Sequence, residues 1–454
     1  MPRAMAAKRA REDDDERAQC PYLDTINCDA LDFDFEKRCS ISLADVHAYG
    51  CLVCGKYFAG RGKSTHAYAH SLERAHHVFV HLLTGKVYCL PDSYEVTQRD
   101  VTLTRIRDVL KPRFDEAVVR GLENEGPQWR RALDGTEYLT GVTGLNNLKH
   151  TDYVNATLQA LSRVKPLRRA LLLTPNSEAE KPSLWERLSE ITKKMWNARN
   201  FKGHSSPHEF MQCVRGRSKD AFGVDQSGDA AAFMRWLLNE LIREVKVRAK
   251  GTKKRGELNV ELDDVVSDCF QGAVEIIEDD VKSGGARAST VSPFLMLSLD
   301  LPPAPLFQDV MEKKIIPQVS LEHNLLKKFD GATPDPKTQR RFKIVKLPKY
   351  LIVNYSRFTK NNFFTEKNPT IVTFPVKNLN LADHIPVPAG ERARYNLIAN
   401  IVHDGTPTAG SYRAMVFHAP DGNWYETQDL NVVEVLPQQV NLTETYVQIY
   451  ERQD

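Results

Sequence analysis

Gly144-Leu145-Asn146-Asn147-Leu148-Lys149-His150-Thr151-Asp152-Tyr153-Val154-Asn155 leads a glycine and a polar run into an amphipathic segment that begins at Ala156. Leu158, Leu161 and Val164 keep helical spacing. Pro166 is expected to end or kink that helix before Leu167 and Leu171 continue the apolar face. The Thr151-Asp152 pair ahead of the helical run predicts an N-cap, because a short side-chain oxygen accepts from a free backbone N–H of the first turn. A helix N-terminus carries partial positive charge, so a cysteine there would become a stabilised thiolate. Asp152 stands there instead. The same field predicts a stabilised carboxylate with a low pKa, and therefore a weak base.

At 454 residues the chain should hold more than one domain, or one large and one small. Its 41% hydrophobic content is enough for a sizeable core. A net charge of +3 does not by itself imply nucleic-acid binding. No apolar run is long enough to span a bilayer, so no membrane partner is expected. Residues 1–19 lack a signal-peptide core and read as a disordered charged tail. Within them Lys8-Arg9-Ala10-Arg11 is either part of a nuclear address or simply solvated.

Cys20, Cys28, Cys39, Cys51, Cys54 and Cys89 crowd into the first ninety residues, and only Cys213 and Cys269 lie beyond. In an intracellular chain such crowding points to metal rather than disulfides. Cys51-Leu-Val-Cys54 is followed by His66, His70, His76 and His77. Two thiolates on a knuckle and two imidazoles on a helix can close a tetrahedron around zinc. The spacing allows either His66 with His70 or His70 with His76; the competing reading is a surface-histidine helix beside a fortuitous pair of cysteines.

Gly144-Leu145, Asn147-Leu148, Thr151, Tyr153 and Asn155-Ala156 resemble the cysteine box of the ubiquitin-specific proteases, written G-L-x-N-L-G-N-T-C-Y-M-N. Lys149 replaces a glycine, His150 the asparagine that stabilises the oxyanion, and Asp152 the nucleophilic cysteine. The family's histidine box, G-H-Y, is here Gly410-Ser411-Tyr412. Its third catalytic member follows W-Y-x-F; here Trp424-Tyr425-Glu426-Thr427 is followed by Gln428, with Asp429 at the second acid of the family's D-D pair. A cysteine protease needs a thiolate, an imidazole to activate it and a group to orient the imidazole. The resemblance therefore implies that thiol chemistry is gone and that no residue is catalytic, since loss of any one member costs orders of magnitude. Asn147, Tyr153, Asn155, Trp424 and Tyr425 remain as packing residues. His403, in Val402-His403-Asp404-Gly405, is the one nearby imidazole, read either as the base of a replacement chemistry or as a structural loop residue.

Cys20-Pro21-Tyr22-Leu23, Cys51-x-x-Cys54-Gly55 and Gly60-Arg61-Gly62, with His70 and His76, resemble the zinc finger that accompanies this family. That resemblance selects Cys51, Cys54, His70 and His76 as the ligands of one structural zinc. Tyr22, Cys39-Ser-Ile-Ser42 and an unpartnered Cys89 leave no further zinc set, so Cys20, Cys28, Cys39 and Cys89 read as small core residues. Such a finger can grip the C-terminal glycines of ubiquitin with an arginine and aromatics. Arg61 and Tyr88 fall near those positions in a partial match that makes ubiquitin binding doubtful.

Elsewhere, helices are predicted at Val101–Leu110, Phe114–Leu122, Leu184–Trp196, Pro207–Val214 and from Asp229 onward. The Asp229 segment resembles the family's Q-Q-D-A-x-E-F-L, with Ser227, Gly228 and Ala232 in place of two glutamines and the glutamate. The basic run from Arg243 to Arg255 reads as a solvated loop, with snRNA or an acidic protein as a minority partner. Short strands are predicted at Val265–Ile277, Phe294–Leu299, Phe342–Leu347, Tyr350–Val353, Tyr395–Val402, Tyr412–Phe417 and Tyr446–Tyr450. Cys269 stands alone where active members often carry a second zinc site.

The implied fold is α+β: a papain-like thumb, palm and fingers preceded by a small zinc-finger domain. The expected division is a tail at 1–19, a finger at 20–95, a linker with helix at 96–138 and a protease-like domain at 139–454. Thr359–Phe364 and Val402–Gly405 are most similar to the non-catalytic branch of the family that accompanies the spliceosomal tri-snRNP. That similarity implies a nuclear scaffold for pre-mRNA splicing whose partners are tri-snRNP proteins. A ubiquitin-binding adaptor and a deubiquitinase with unorthodox residues are the alternatives.

Overall fold

Every side chain from Tyr153 to Leu161 is buried, and the helix that carries them runs Asp152–Leu161, four residues longer at its start than the apolar pattern alone predicts. A turn at 162–163 follows, and a second helix, Lys165–Leu173, begins with Pro166 in its first turn, where a missing N–H costs nothing. Pro166 thus opens a helix rather than ending one. Thr151 occupies the N-cap position without capping through its side chain. Its hydroxyl instead accepts from the Leu148 N–H at 2.9 Å, which closes the preceding loop.

The computed structural model describes residues 20–179, 181–253, 264–279, 286–303, 317–336, 338–360, 365–387 and 390–453. The charged tail at 1–19, the end of the basic run at 254–255 and residues 361–364 of the Thr359–Phe364 motif lie outside the described residues. The chain divides into two units.

The first unit gathers Met1–Val118, Gln128–Thr143 and Leu172–Cys213. Its centre is a five-stranded antiparallel sheet in the order Tyr57–Ala59, Ala48–Cys51, Val78–His81, Val87–Cys89, Tyr94–Glu95. The helices Val101–Leu110 and Leu184–Trp196 fall where the apolar spacing predicts them. Asp100 caps the first by accepting from the Leu103 N–H. Ser183 and Glu186 form a reciprocal capping box on the second. Leu52, Val78, Val80, Leu82, Leu103 and Ile106 form its core together with Cys20 and Cys89. Cys39 is likewise buried, whereas Cys28 is only half-buried.

The second unit gathers Val119–Pro127, Gly144–Leu171 and Val214–Asp454. Its main sheet runs Leu297–Asp300, Tyr350–Ser356, Thr445–Arg452, Arg394–Gly405, Gly410–His418, Asn423–Gln428, Asn431–Val435. The helix Asp152–Leu161 packs on the strand Gly410–His418 and on the helix Ala230–Lys253. With helices leading and mostly antiparallel strands following, Leu297–Asp300 alone lying parallel to its neighbour in the main sheet, the class is α+β.

Two predicted elements are corrected. Val265–Ile277 is not one strand: Val265–Phe270 is a helix and the strand is Gly272–Asp279. The Asp264 carboxylate accepts from the Ser267 N–H, and Val266, Cys269 and Phe270 bury one helical face, so capping and packing override the β-branched composition. The basic run is not a loop as far as Lys253, because the helix from Ala230 continues to that residue. Buried Leu241, Ile242 and Val245 extend its apolar face, and Arg243 pairs with Glu240 one turn back.

Candidate functional site

In the first unit the knuckle Cys51–Cys54 is closed by a turn that only glycine accepts. Gly55 has φ +72°, and a Cβ there would stand 2.0 Å from the Ala30 carbonyl oxygen. The helix His66–Arg74 delivers His70, and the left-handed Ala75 that ends it turns the chain so that His76 points back. The four donor atoms of Cys51, Cys54, His70 and His76 lie within 4.8 Å of one another. Cys51 Sγ is 3.5 Å from His76 Nδ1, Cys54 Sγ 3.5 Å from His70 Nε2, and the two imidazole nitrogens 3.0 Å apart. A zinc tetrahedron with Zn–S of ~2.3 Å and Zn–N of ~2.0–2.1 Å has edges of about 3.3–3.8 Å, so this donor set fits one zinc ion. The hydrogen bond between the two sulfurs lowers the Cys54 thiol and raises that of Cys51, whereas a bound zinc takes both as thiolates. Phe58 stacks on His70 at 4.1 Å and fixes its ring. His77 is turned away, with Nδ1 2.8 Å from the Leu90 carbonyl. Nearby, the Arg61 guanidinium donates to the Ser93 carbonyl at 2.9 Å and lies 4.3 Å over the Tyr88 ring.

In the second unit Asp152, Ser411, Gln428 and Asp429 come together from three elements. Asp152 Oδ2 accepts the Tyr412 N–H at 2.7 Å, so the carboxylate bonds the sheet backbone across 260 residues of chain. Burial pushes its carboxyl pKa up, and neighbouring Asp429 adds to this; the N–H groups of Tyr412 and Tyr153 only partly offset it. The low pKa expected from the helix terminus is therefore corrected: at this half-buried position desolvation outweighs the helix field. Gln428 Nε2 donates to Ser411 Oγ at 3.4 Å. His150 is exposed.

Asp429 joins the two halves of the box. It accepts from Asn147 Nδ2 at 3.0 Å and from Asn155 Nδ2 at 2.8 Å, while its carbonyl takes the Leu145 N–H at 2.8 Å. The approach is so close that a Cβ on Gly144 would meet the Leu430 carbonyl at 2.8 Å, which accounts for the glycine that opens the box. Tyr153 is buried against Phe233 and packs so near Gly228 that a Cβ there would lie 2.5 Å from its ring. Trp424 and Tyr425 are buried as well.

His403 lies in an aromatic box, 5.0 Å from the Phe358 ring and 4.8 Å from Tyr412. Burial pushes its pKa down to about 4, so it is neutral. Its Nε2 is 2.3 Å from where a Gly410 Cβ would stand, and among the described residues Nδ1 has no hydrogen-bond partner. The structural reading accounts for this, with one correction: His403 lies within the strand Arg394–Gly405, paired with Tyr412, and not in a loop. The sequence did not reveal the Tyr412 amide as the partner of Asp152; an acid at a helix start, and a strand one residue past Ser411, were the available signals.

A thumb helix seated on a mostly antiparallel palm, with the cysteine-box and histidine-box positions meeting where they join, defines the papain-like class of hydrolase folds. The chain belongs to the ubiquitin carboxyl-terminal hydrolase family: that family's profile matches residues 143–450. The profile described as "Zn-finger in ubiquitin-hydrolases and other protein" matches residues 38–101. A mouse (Mus musculus) relative, "Ubiquitin carboxyl-terminal hydrolase 39", is 46% identical over all of this chain and 84% of its own length. "Probable mRNA-splicing protein ubp10" of Schizosaccharomyces pombe is 38% identical, covering 95% of this chain and 88% of itself. A solved structure titled "Crystal structure of an essential yeast splicing factor" superposes with a TM-score of 0.78 at 28% identity, over 96% of this chain and all of that one.

Proposed function

We propose that the chain is a non-catalytic spliceosomal factor, a nuclear scaffold that helps the tri-snRNP assemble or stay assembled during pre-mRNA splicing. The fission-yeast relative, a probable mRNA-splicing protein, and the yeast splicing-factor structure support the process. The observation that carries the non-catalytic half is the Asp152 carboxylate bonded to the Tyr412 amide at the nucleophile position, with Ser411 at the base position facing Gln428. Neither a serine nor a glutamine can take a proton as imidazole does. The neutral, enclosed His403 does not substitute. On this reading Cys51, Cys54, His70 and His76 hold one structural zinc. Residues 20–95 are the finger, 96–138 a linker and 139–454 the protease-like domain.

The test is depletion and rescue. Cells stripped of their own copy should lose sedimenting tri-snRNP and accumulate unspliced transcripts, and the wild-type chain should restore both. The purified chain should leave di-ubiquitin intact and bind mono-ubiquitin no tighter than roughly the high micromolar range, a free energy of about 5–6 kcal/mol. Intact tri-snRNP after depletion, or di-ubiquitin hydrolysis abolished by Asp152→Ala, overturns the reading.

A further inference from the structure

A small cavity in the first unit is lined by three carboxylates, and each is already matched. Asp34 pairs with Lys194, Glu190 with Arg187 at 2.6 Å, and Glu209 with Arg187 and with Lys37 at 2.9 Å. Three acids are thus balanced by three cations, and two more ammonium groups, Lys111 and Lys193, line the same cavity. Lys193 is only 2% exposed. Its Nζ donates to the Thr174 carbonyl and, at 2.8 Å, to Asn176 Oδ1. Lys111 Nζ donates to the Ser177 carbonyl at 3.0 Å. Among the described residues neither ammonium has a carboxylate within ion-pair distance.

Asn176 ties the two together. Its Nδ2 donates to the carbonyls of Lys111 at 3.3 Å and Pro112 at 3.1 Å while its Oδ1 receives Lys193. Burial pushes Lys193 down to about 8; Glu190 opposes this and Lys111 adds to it. Lys111 is lowered chiefly by burial and then by Lys37, with Glu190 and Glu178 opposing and Arg113 adding. At neutral pH Lys193 remains mostly protonated, so the site carries buried positive charge with no counter-ion, an arrangement that is costly when left alone. The cavity has a volume of about 40 Å³. One water needs only ~10–15 Å³ on that measure, so a small oxyanion fits.

We propose that this cavity binds a small tetrahedral oxyanion of the phosphate or sulfate kind, held by Lys111 and Lys193, with Asn176 positioning both. A free ion and a phosphoryl group on a partner's side chain share this chemistry. The site is independent of the degenerate cleft and of zinc.

The test is calorimetry on the full zinc-loaded chain, titrated with inorganic phosphate and, separately, with N-acetyl-phosphoserine amide. Saturable binding of one phosphate per chain is expected, weakened at least tenfold by Lys193→Met and by Lys111→Met. Lys346→Met with Arg392→Met, on an open basic surface of the second unit, should leave it unchanged. Phosphoserine-amide binding as tight as phosphate assigns the site to a group carried by a partner; binding of phosphate alone assigns it to the free ion; both support the site. Absence of saturable phosphate binding to the wild-type chain overturns it, as does unaltered binding to Lys111→Met, the exposed-side variant that decides the matter if Lys193→Met does not fold.

Discussion

Replacing Asp152 separates two accounts of the residue at the nucleophile position. If it is a structural acceptor, Asp152→Ala leaves the Tyr412 N–H without the 2.7 Å partner it now has. A hydrogen bond to a charged group contributes about 1.5–3 kcal/mol. An acid in the first turn of a helix adds about 0.3–1 kcal/mol. Against this, the raised pKa means that the ionised carboxylate is held at a cost. Because the folded-state pKa lies above the unfolded one, this group's contribution is greatest at acid pH and declines as pH rises through the folded value. At pH 7 the net loss for Asp152→Ala should be about 1–2 kcal/mol, or a Tm lower by about 2–8 °C for a unit of this size. Asp152→Asn keeps an oxygen acceptor and sheds the buried charge, so it should lie within about 0.5 kcal/mol of wild type. Differential scanning fluorimetry and urea titration on the full chain measure both. An Ala variant as stable as wild type would show that the bond contributes nothing. Asn as damaging as Ala would show that charge, not acceptance, matters. Either result refutes the reasoning.

The purified chain should hold one zinc per molecule by elemental analysis, and Cys54→Ser should lower that content and unfold the first unit; zero or two zincs would contradict the donor geometry. Asp152→Cys alone should not cleave di-ubiquitin, because Ser411 cannot act as its base, and at neutral pH an unassisted thiol is only a few per cent thiolate; turnover by this single variant would show a base that the structure does not reveal. His403 and His418 are both pushed by burial to about 4, so each contributes stability that is full above pH 6.5 and lost as pH falls toward 4. His403→Leu should therefore flatten the pH dependence of Tm by roughly 1 kcal/mol at pH 5.5, and an unchanged slope would mean the ring is not held neutral. Gly228→Ala should cost about 1–3 kcal/mol by driving a methyl into the Tyr153 ring, read as a lower urea midpoint.

The parts most legible in the sequence are those encoded locally. Cys51, Cys54, His70 and His76 sit within 26 residues, and their spacing alone narrowed the ligand choice to two pairs. The helices Val101–Leu110 and Leu184–Trp196 showed in full because period, caps and burial agree. Val265–Phe270 did not show, because its valines favour a strand and only Asp264 and the packing of Phe270 decide otherwise. The pKa of Asp152 could not be read, since a sequence shows the helix terminus but not the depth at which it lies. Lys111 and Lys193 are 82 positions apart, and nothing in their separate neighbourhoods announces that they share a cavity.

If the chain is the non-catalytic scaffold proposed above, the Asp152–Tyr412 bond also gives the loss of chemistry a direction in time. While a cysteine stood at such a position, a change to aspartate cost an activity. Once the carboxylate is fastened to the strand amide, a reversion to cysteine forfeits that fastening at once and regains no turnover while Ser411 remains serine. Each single step back is therefore uphill, and drift cannot retrace its path without several coincident substitutions. A retired site of this construction behaves as a ratchet: selection for a well-folded scaffold is enough to keep it retired, without any selection against proteolysis itself.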